Sequence, residues 1–169
     1  AARWLCRHGI DGCTVLVNWL SWIDGKDPSA FRPISLKGRW QADGTPLCPI
    51  TTGSSLSDCA YLLSGTEIRA EAVLSPLLVL PFASAAARRL QQTVIINWAG
   101  PRAQLTRNGG LRLEGDWRTL MNAAPTDLHI DLDRNADCRG AVSSRTVVTG
   151  DHWQELNRFA ARTYAPATE

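Results

Sequence analysis

Between residues 127 and 133 the chain alternates polar and aliphatic side chains. Asp127, His129, Asp131 and Asp133 take one parity, and Leu128, Ile130 and Leu132 the other. Strand side chains repeat every two residues, so the spacing predicts a strand with one wet face and one dry face. The same alternation marks 68–74, where Ile68, Ala70, Ala72 and Leu74 stand against Arg69, Glu71 and Val73. Residues 93–98 are β-branched and apolar on both parities, the pattern of a central strand. Two further alternating runs, 102–106 and 111–114, flank Arg107-Asn108-Gly109-Gly110. Asn-Gly between such runs predicts a tight hairpin.

Helical spacing dominates elsewhere. Residues 1–8 read as the tail of a helix stopped by Gly9, and Asp11 then caps a second helix with Cys13, Leu16, Leu20 and Ile23 on its inner face. Pro28, Pro33, Pro46 and Pro49 make 24–52 a long loop or wrapping arm. Shorter helices are predicted over 54–63, 83–92 and 116–122, and strands over 76–80 and 143–148. Thr149 caps a closing helix whose inner side is Trp153, Leu156, Phe159, Ala160 and Tyr164. Strands and helices are intermixed, so the fold class is α+β: a mainly antiparallel sheet with an Asn-Gly hairpin, an N-terminal helical hairpin and a C-terminal packing helix. A chain of 169 residues, 44% hydrophobic, suits one core, and 1–169 reads as a single domain.

Charge narrows the partners. The net charge is +2, all of it in residues 1–50, which hold six basic and four acidic residues. The second helix carries no Lys or Arg. A chain without a basic footprint or a basic recognition helix is not expected to bind nucleic acid. The most apolar run, 72–83, is broken by Ser75, Pro76 and Pro81 and is too short to span a bilayer, so no membrane partner is expected. Cys6, Cys13, Cys48, Cys59 and Cys138 are odd in number and form no C-x-x-C pair, which points to free thiols and a cytoplasmic protein.

Two places could carry chemistry. On the acidic strand, His129, Asp131 and Asp133 are imidazole and carboxylate donors of the kind that hold Zn, Mn or Fe, given a ligand from another element. The spacing Asp131-x-Asp133-x-Asn135-x-Asp137 also opens like a calcium loop. Ala136 and Val142, however, occupy the positions that need Gly and Glu. The ordinary reading of these carboxylates is cross-strand pairing with the Arg residues of the hairpin. The second place is Thr52, Gly53, Ser54 and Ser55 at a predicted helix start, where free N–H groups and hydroxyls could seat an anion. Ser54 as a plain cap explains the same residues.

These features suggest a domain that binds a small anionic metabolite, or an accessory domain, with no cofactor indicated. The alternative is a metal-dependent enzyme using the His129, Asp131 and Asp133 face. A third reading is an interaction subunit, oligomeric or bound to a partner protein, with an apolar patch exposed around Trp4, Trp19 and Trp22.

Arg3-Trp4-Leu5-Cys6 with Gly9-Ile10-Asp11-Gly12, and the closing run from Ala161 through Tyr164 and Pro166 to Glu169, resemble an uncharacterised bacterial family known only as a domain of unknown function. Sixteen of the eighteen basic residues are Arg and Ala is abundant, which agrees with a GC-rich bacterial origin. The resemblance implies a further helical segment before this start and a Gly/Ala and Asp-rich tail after this end. The opening inside a helix without an initiator Met agrees with such missing flanks. The resemblance transfers no catalytic residue.

Overall fold

The structure, a computed structural model, describes residues 1–43, 46–122, 124–134 and 150–162. Its helices are α1 (Ala2–Arg7), α2 (Gly12–Ile23), α3 (Pro49–Asp58), α4 (Leu80–Leu90) and α5 (Gly150–Ala161). Its strands are β1 (Arg39–Trp40), β2 (Ile68–Val73), β3 (Thr93–Asn97), β4 (Arg102–Leu105), β5 (Leu111–Glu114) and β6 (Thr126–Asp133). The strands form one sheet in the order β1-β2-β6-β3-β4-β5, antiparallel throughout except for β1 beside β2. The α+β class read from the alternating and helical patterns is the class observed.

Parity along each strand decides which face is dry. Leu128, Ile130 and Leu132 of β6 join Val94 and Ile96 of β3, Ala103 and Leu105 of β4, and Ile68 and Ala70 of β2 in the core. Leu5, Val15, Leu56, Ala83 and Ala87 from the helices complete that core, so among the described residues the helical layer packs on this face of the sheet. The N-terminal hairpin forms as expected: Gly9 takes a φ of +76°, and the Asp11 carboxylate accepts the Thr14 N–H at 3.0 Å. The second hairpin also forms. Thr106 N–H donates to the Gly110 carbonyl and Gly109 N–H to the Thr106 carbonyl, with Gly109 at φ +83°.

Several expectations are corrected. Residues 76–80 are not a strand but a 3₁₀ turn, Pro76–Val79, that runs into α4. An apolar run of this length suits either element, and Pro at its first position favours the helical one. Residue 72 does not continue the alternation, because the β2–β6 register shifts between Ala70 and Val73, with Ala72 at φ +51°. That bulge turns Val73 into the core. On α2, Gly12, Cys13 and Val15 are the buried positions, while Leu16 and Leu20 face a groove beside α5. Trp153 of α5 is 59% exposed rather than inward. The 143–148 strand, Thr149 and Tyr164 lie outside the described residues.

The arm from Asp24 onward does wrap the sheet. It sets β1 against β2, where Trp40 is fully buried, and bridges Leu47 to Val73. None of the described helices is long and apolar enough to cross a membrane.

Candidate functional site

The face of the sheet opposite the helical layer is ordered by register. Directly paired residues share a face, so Arg39 on β1, Arg69 on β2, His129 on β6, Asn97 on β3, Arg102 on β4 and Glu114 on β5 form one row across all six strands. At the β1–β2–β6 end of this row lies a pocket of about 100 Å³ lined by Arg39, Arg69, Glu71, Asp127 and His129, with Ala70 and Leu128 at its floor.

Most polar groups of the pocket are engaged. Arg39 Nη1 lies 2.8 Å from Glu71 Oε1, and Arg69 Nε donates to Glu67 Oε1 at 2.6 Å. Asp127 Oδ1 accepts the Ala72 N–H at 2.8 Å, which ties the bulge of β2 to β6. The exception is His129. Its imidazole is exposed and makes no hydrogen bond or ion pair among the described residues. A guanidinium has five N–H donors and a single carboxylate uses at most two, so both Arg side chains keep donors for a further anion.

The predicted metal set does not close. A strand rises about 3.3 Å per residue, so His129 and Asp133 lie roughly 13 Å apart along β6, too far for all three side chains to meet on one ion. Opposite them β3 presents Asn97, Ile95 and Thr93. Among the described residues no group of three His, Cys, Asp or Glu side chains could hold a metal. Asp131 and Asp133 belong to an extended strand and not to a loop, while Asn135 and Asp137 lie outside the described residues. The expected pairing with the hairpin is also altered: β3 stands between β6 and β4, and Arg102 reaches over to Asp133, at 3.9 Å.

The predicted anion seat changes its place in its helix. α3 starts at Pro49, five residues before Ser54, so Thr52, Gly53, Ser54 and Ser55 are interior residues. Thr52 N–H donates to the Cys48 carbonyl, and Ser54 Oγ to the Thr51 carbonyl. Thr52 is fully buried, and Gly53 is a packing position: a Cβ there would lie 2.3 Å from the Phe82 ring. These residues belong to the helical layer, on the opposite side of the sheet from His129. The two places therefore do not combine into one site.

The other histidines are structural ties. His8 Nδ1 lies 2.9 Å from the Trp4 carbonyl and Nε2 3.2 Å from that of Gly109, with the Trp4 ring stacked on it at 3.9 Å. His152 Nδ1 lies 2.8 Å from Thr14 Oγ1, which donates to Asp11 Oδ2 at 2.6 Å. Sequence spacing could not find this last cluster, since its members are 138 residues apart. Burial pushes the Cys13 thiol up to about 11, aided by the nearby Cys6 thiol and the Asp11 carboxylate, so it is not a nucleophile at neutral pH. Trp4 and Trp19 pack against the core and Trp22 is half-buried, so the apolar patch expected around them is not exposed.

No protein-family model, curated protein or solved structure matches this chain.

Proposed function

We propose that this chain is a binding domain whose open sheet face takes a small anionic metabolite at the β1–β2–β6 pocket. The observation that carries the reading is the imidazole of His129, unpartnered among the described residues, set in one row with the guanidiniums of Arg39 and Arg69. A carboxylate or phosphate there would accept an N–H from His129 and further N–H groups that Glu71 and Glu67 leave unused on the two Arg. A volume near 100 Å³ limits the buried part to a headgroup. β6 also carries Asp127, Asp131 and Asp133 on this face, so capture rests on local donors and not on a long-range positive field. The resemblance of the chain ends to an uncharacterised bacterial family adds no residue to the site.

Calorimetric titration with phosphate, with short mono- and dicarboxylates and with a neutral amide control tests this reading. Binding of an anion, weakened about tenfold or more by His129→Ala and by Arg69→Ala, is the expected result. His129 is exposed, so its removal should change folding stability by no more than about 0.5 kcal/mol. No heat with any anion, or heat that both variants retain, would exclude this pocket.

A further inference from the structure

The two ends of the sheet are finished differently. At one end β1 is only two residues long. At the other, β5 pairs only with β4 among the described residues and presents Leu111-Arg112-Leu113-Glu114 as an edge. Edge strands are commonly blunted by Pro, Lys or a bulge, and β5 has none of these; its register with β4 is unbroken.

Hydrogen-bond parity fixes what this edge offers. The bond from Thr106 N–H to the Gly110 carbonyl makes that a bonded pair. The bonded pairs of an antiparallel ladder alternate, so Arg112 with Gln104 and Glu114 with Arg102 also exchange bonds with β4. The main-chain groups of Leu111 and Leu113 therefore point away from the sheet, and they make no other hydrogen bond among the described residues.

Charge then selects a partner. When two copies of β5 run antiparallel about Leu113, Leu113 N–H of each donates to the Leu113 carbonyl of the other. Arg112 of each then faces Glu114 of the other. Moving the centre to Arg112 would set the two Arg side chains against each other, which disfavours that register. Arg112 and Glu114 are 62% and 39% exposed and already lie 3.1 Å apart within one chain, on the open face of the sheet. The geometry points to a second copy of this chain as the occupant of the β5 edge. The result is a two-fold dimer with one continuous sheet, its helical layers on one side and its two β1–β2–β6 pockets at the far ends. So short a strand buries less than a standard interface, and association belongs to the weak, concentration-dependent class.

Sedimentation velocity from micromolar to roughly millimolar protein reads the association. Arg112→Glu and Glu114→Arg, each alone, put like charges across the axis and should weaken self-association about tenfold to a hundredfold. Mixed together, the two variants regain both opposite-charge pairs, so the mixture should dimerise where neither variant does. In the unsubstituted chain, the Leu113 amide should gain hydrogen-exchange protection with concentration, while the Arg112 and Glu114 amides stay protected throughout. A chain that remains monomeric over the whole range overturns the inference. So does a dimer whose Leu113 exchange is independent of concentration, or a variant mixture that behaves as its parts.

Discussion

A Cβ on Gly12 would stand 2.4 Å from the Ala2 carbonyl oxygen and 2.7 Å from Leu5 Cβ, so the crossing of α1 and α2 has no room for a side chain. Ala is the better helix former, yet Gly12→Ala should destabilise the protein by about 1–3 kcal/mol, because a backbone carbonyl cannot step aside as a flexible side chain would. Urea unfolding checks this, and an unchanged midpoint would mean that α1 is loosely docked. At Asp27 the effect is electrostatic. The Ser29 hydroxyl and N–H donate to its carboxylate at 2.6 and 2.9 Å and hold it below the ordinary 3.8. A lowered folded value means that the stabilisation is complete above the ordinary carboxylate range and is lost as pH falls through the lowered value. NMR titration of Ser29→Ala should find the Asp27 midpoint moved back up. Residues whose role is local could be recognised before any fold was known: the Asp11 cap, the Gly9 stop, and His129 on a wet strand face. Arg39 could not, because nothing near it in sequence says that a two-residue strand will lie beside β2. Thr52 and Gly53 misled for the opposite reason. Small residues at a helix start and small residues at a helix–helix contact look alike, and only the packing of Phe82 distinguishes them.

Period-two elements proved easier to read than apolar runs. β2 and β6 keep, to within one residue at an end, the spans that alternation predicts, and the hairpin of β4 and β5 falls around Asn108-Gly109 as expected. The start of α3 was hidden by composition, since a Pro-rich arm obscures Pro49 as the first helical residue, a position that Pro suits. α5 shows the cost of reading amphipathicity alone. Its apolar stripe is real, but Leu156 and Phe159 are only half-buried, and no residue of the helix is buried. Instead α5 is clasped to α2 near both ends, by His152 on Thr14 and by a bidentate pair between Arg162 and Asp24 at 3.0 Å. Exposed pairs of this kind contribute about 0.2–1 kcal/mol, so α5 should open well before the sheet. Hydrogen exchange should show α5 amides less protected than those of β3, and Asp24→Ala should lower α5 protection while leaving β3 unchanged. Equal protection of the two elements would mean that the apolar groove between α2 and α5 is packed more firmly than its half-buried side chains indicate.

Strand order was the part of the molecule that sequence could not supply. Each strand advertises its own faces, but which strands become neighbours depends on pairings between distant residues, and here the register joins Ile68 to Ile130 and Val94 to Leu132. That order places the pocket at one end of the sheet and the β5 edge at the other. It also places β6, the last of the described strands along the chain, between β2 and β3. Until Thr126–Asp133 arrives, β1 with β2 and β3 with β4 and β5 are two separate ribbons, each with an unpaired inner edge. Pairings this far apart in sequence pay the entropy of loop closure before they return any contact, which makes folding slow. A nascent chain released before residue 126 would expose both inner edges and half of the dry face, the kind of surface on which chains aggregate. For this protein, then, the strand that carries His129 is also the one whose late insertion turns two ribbons into a sheet.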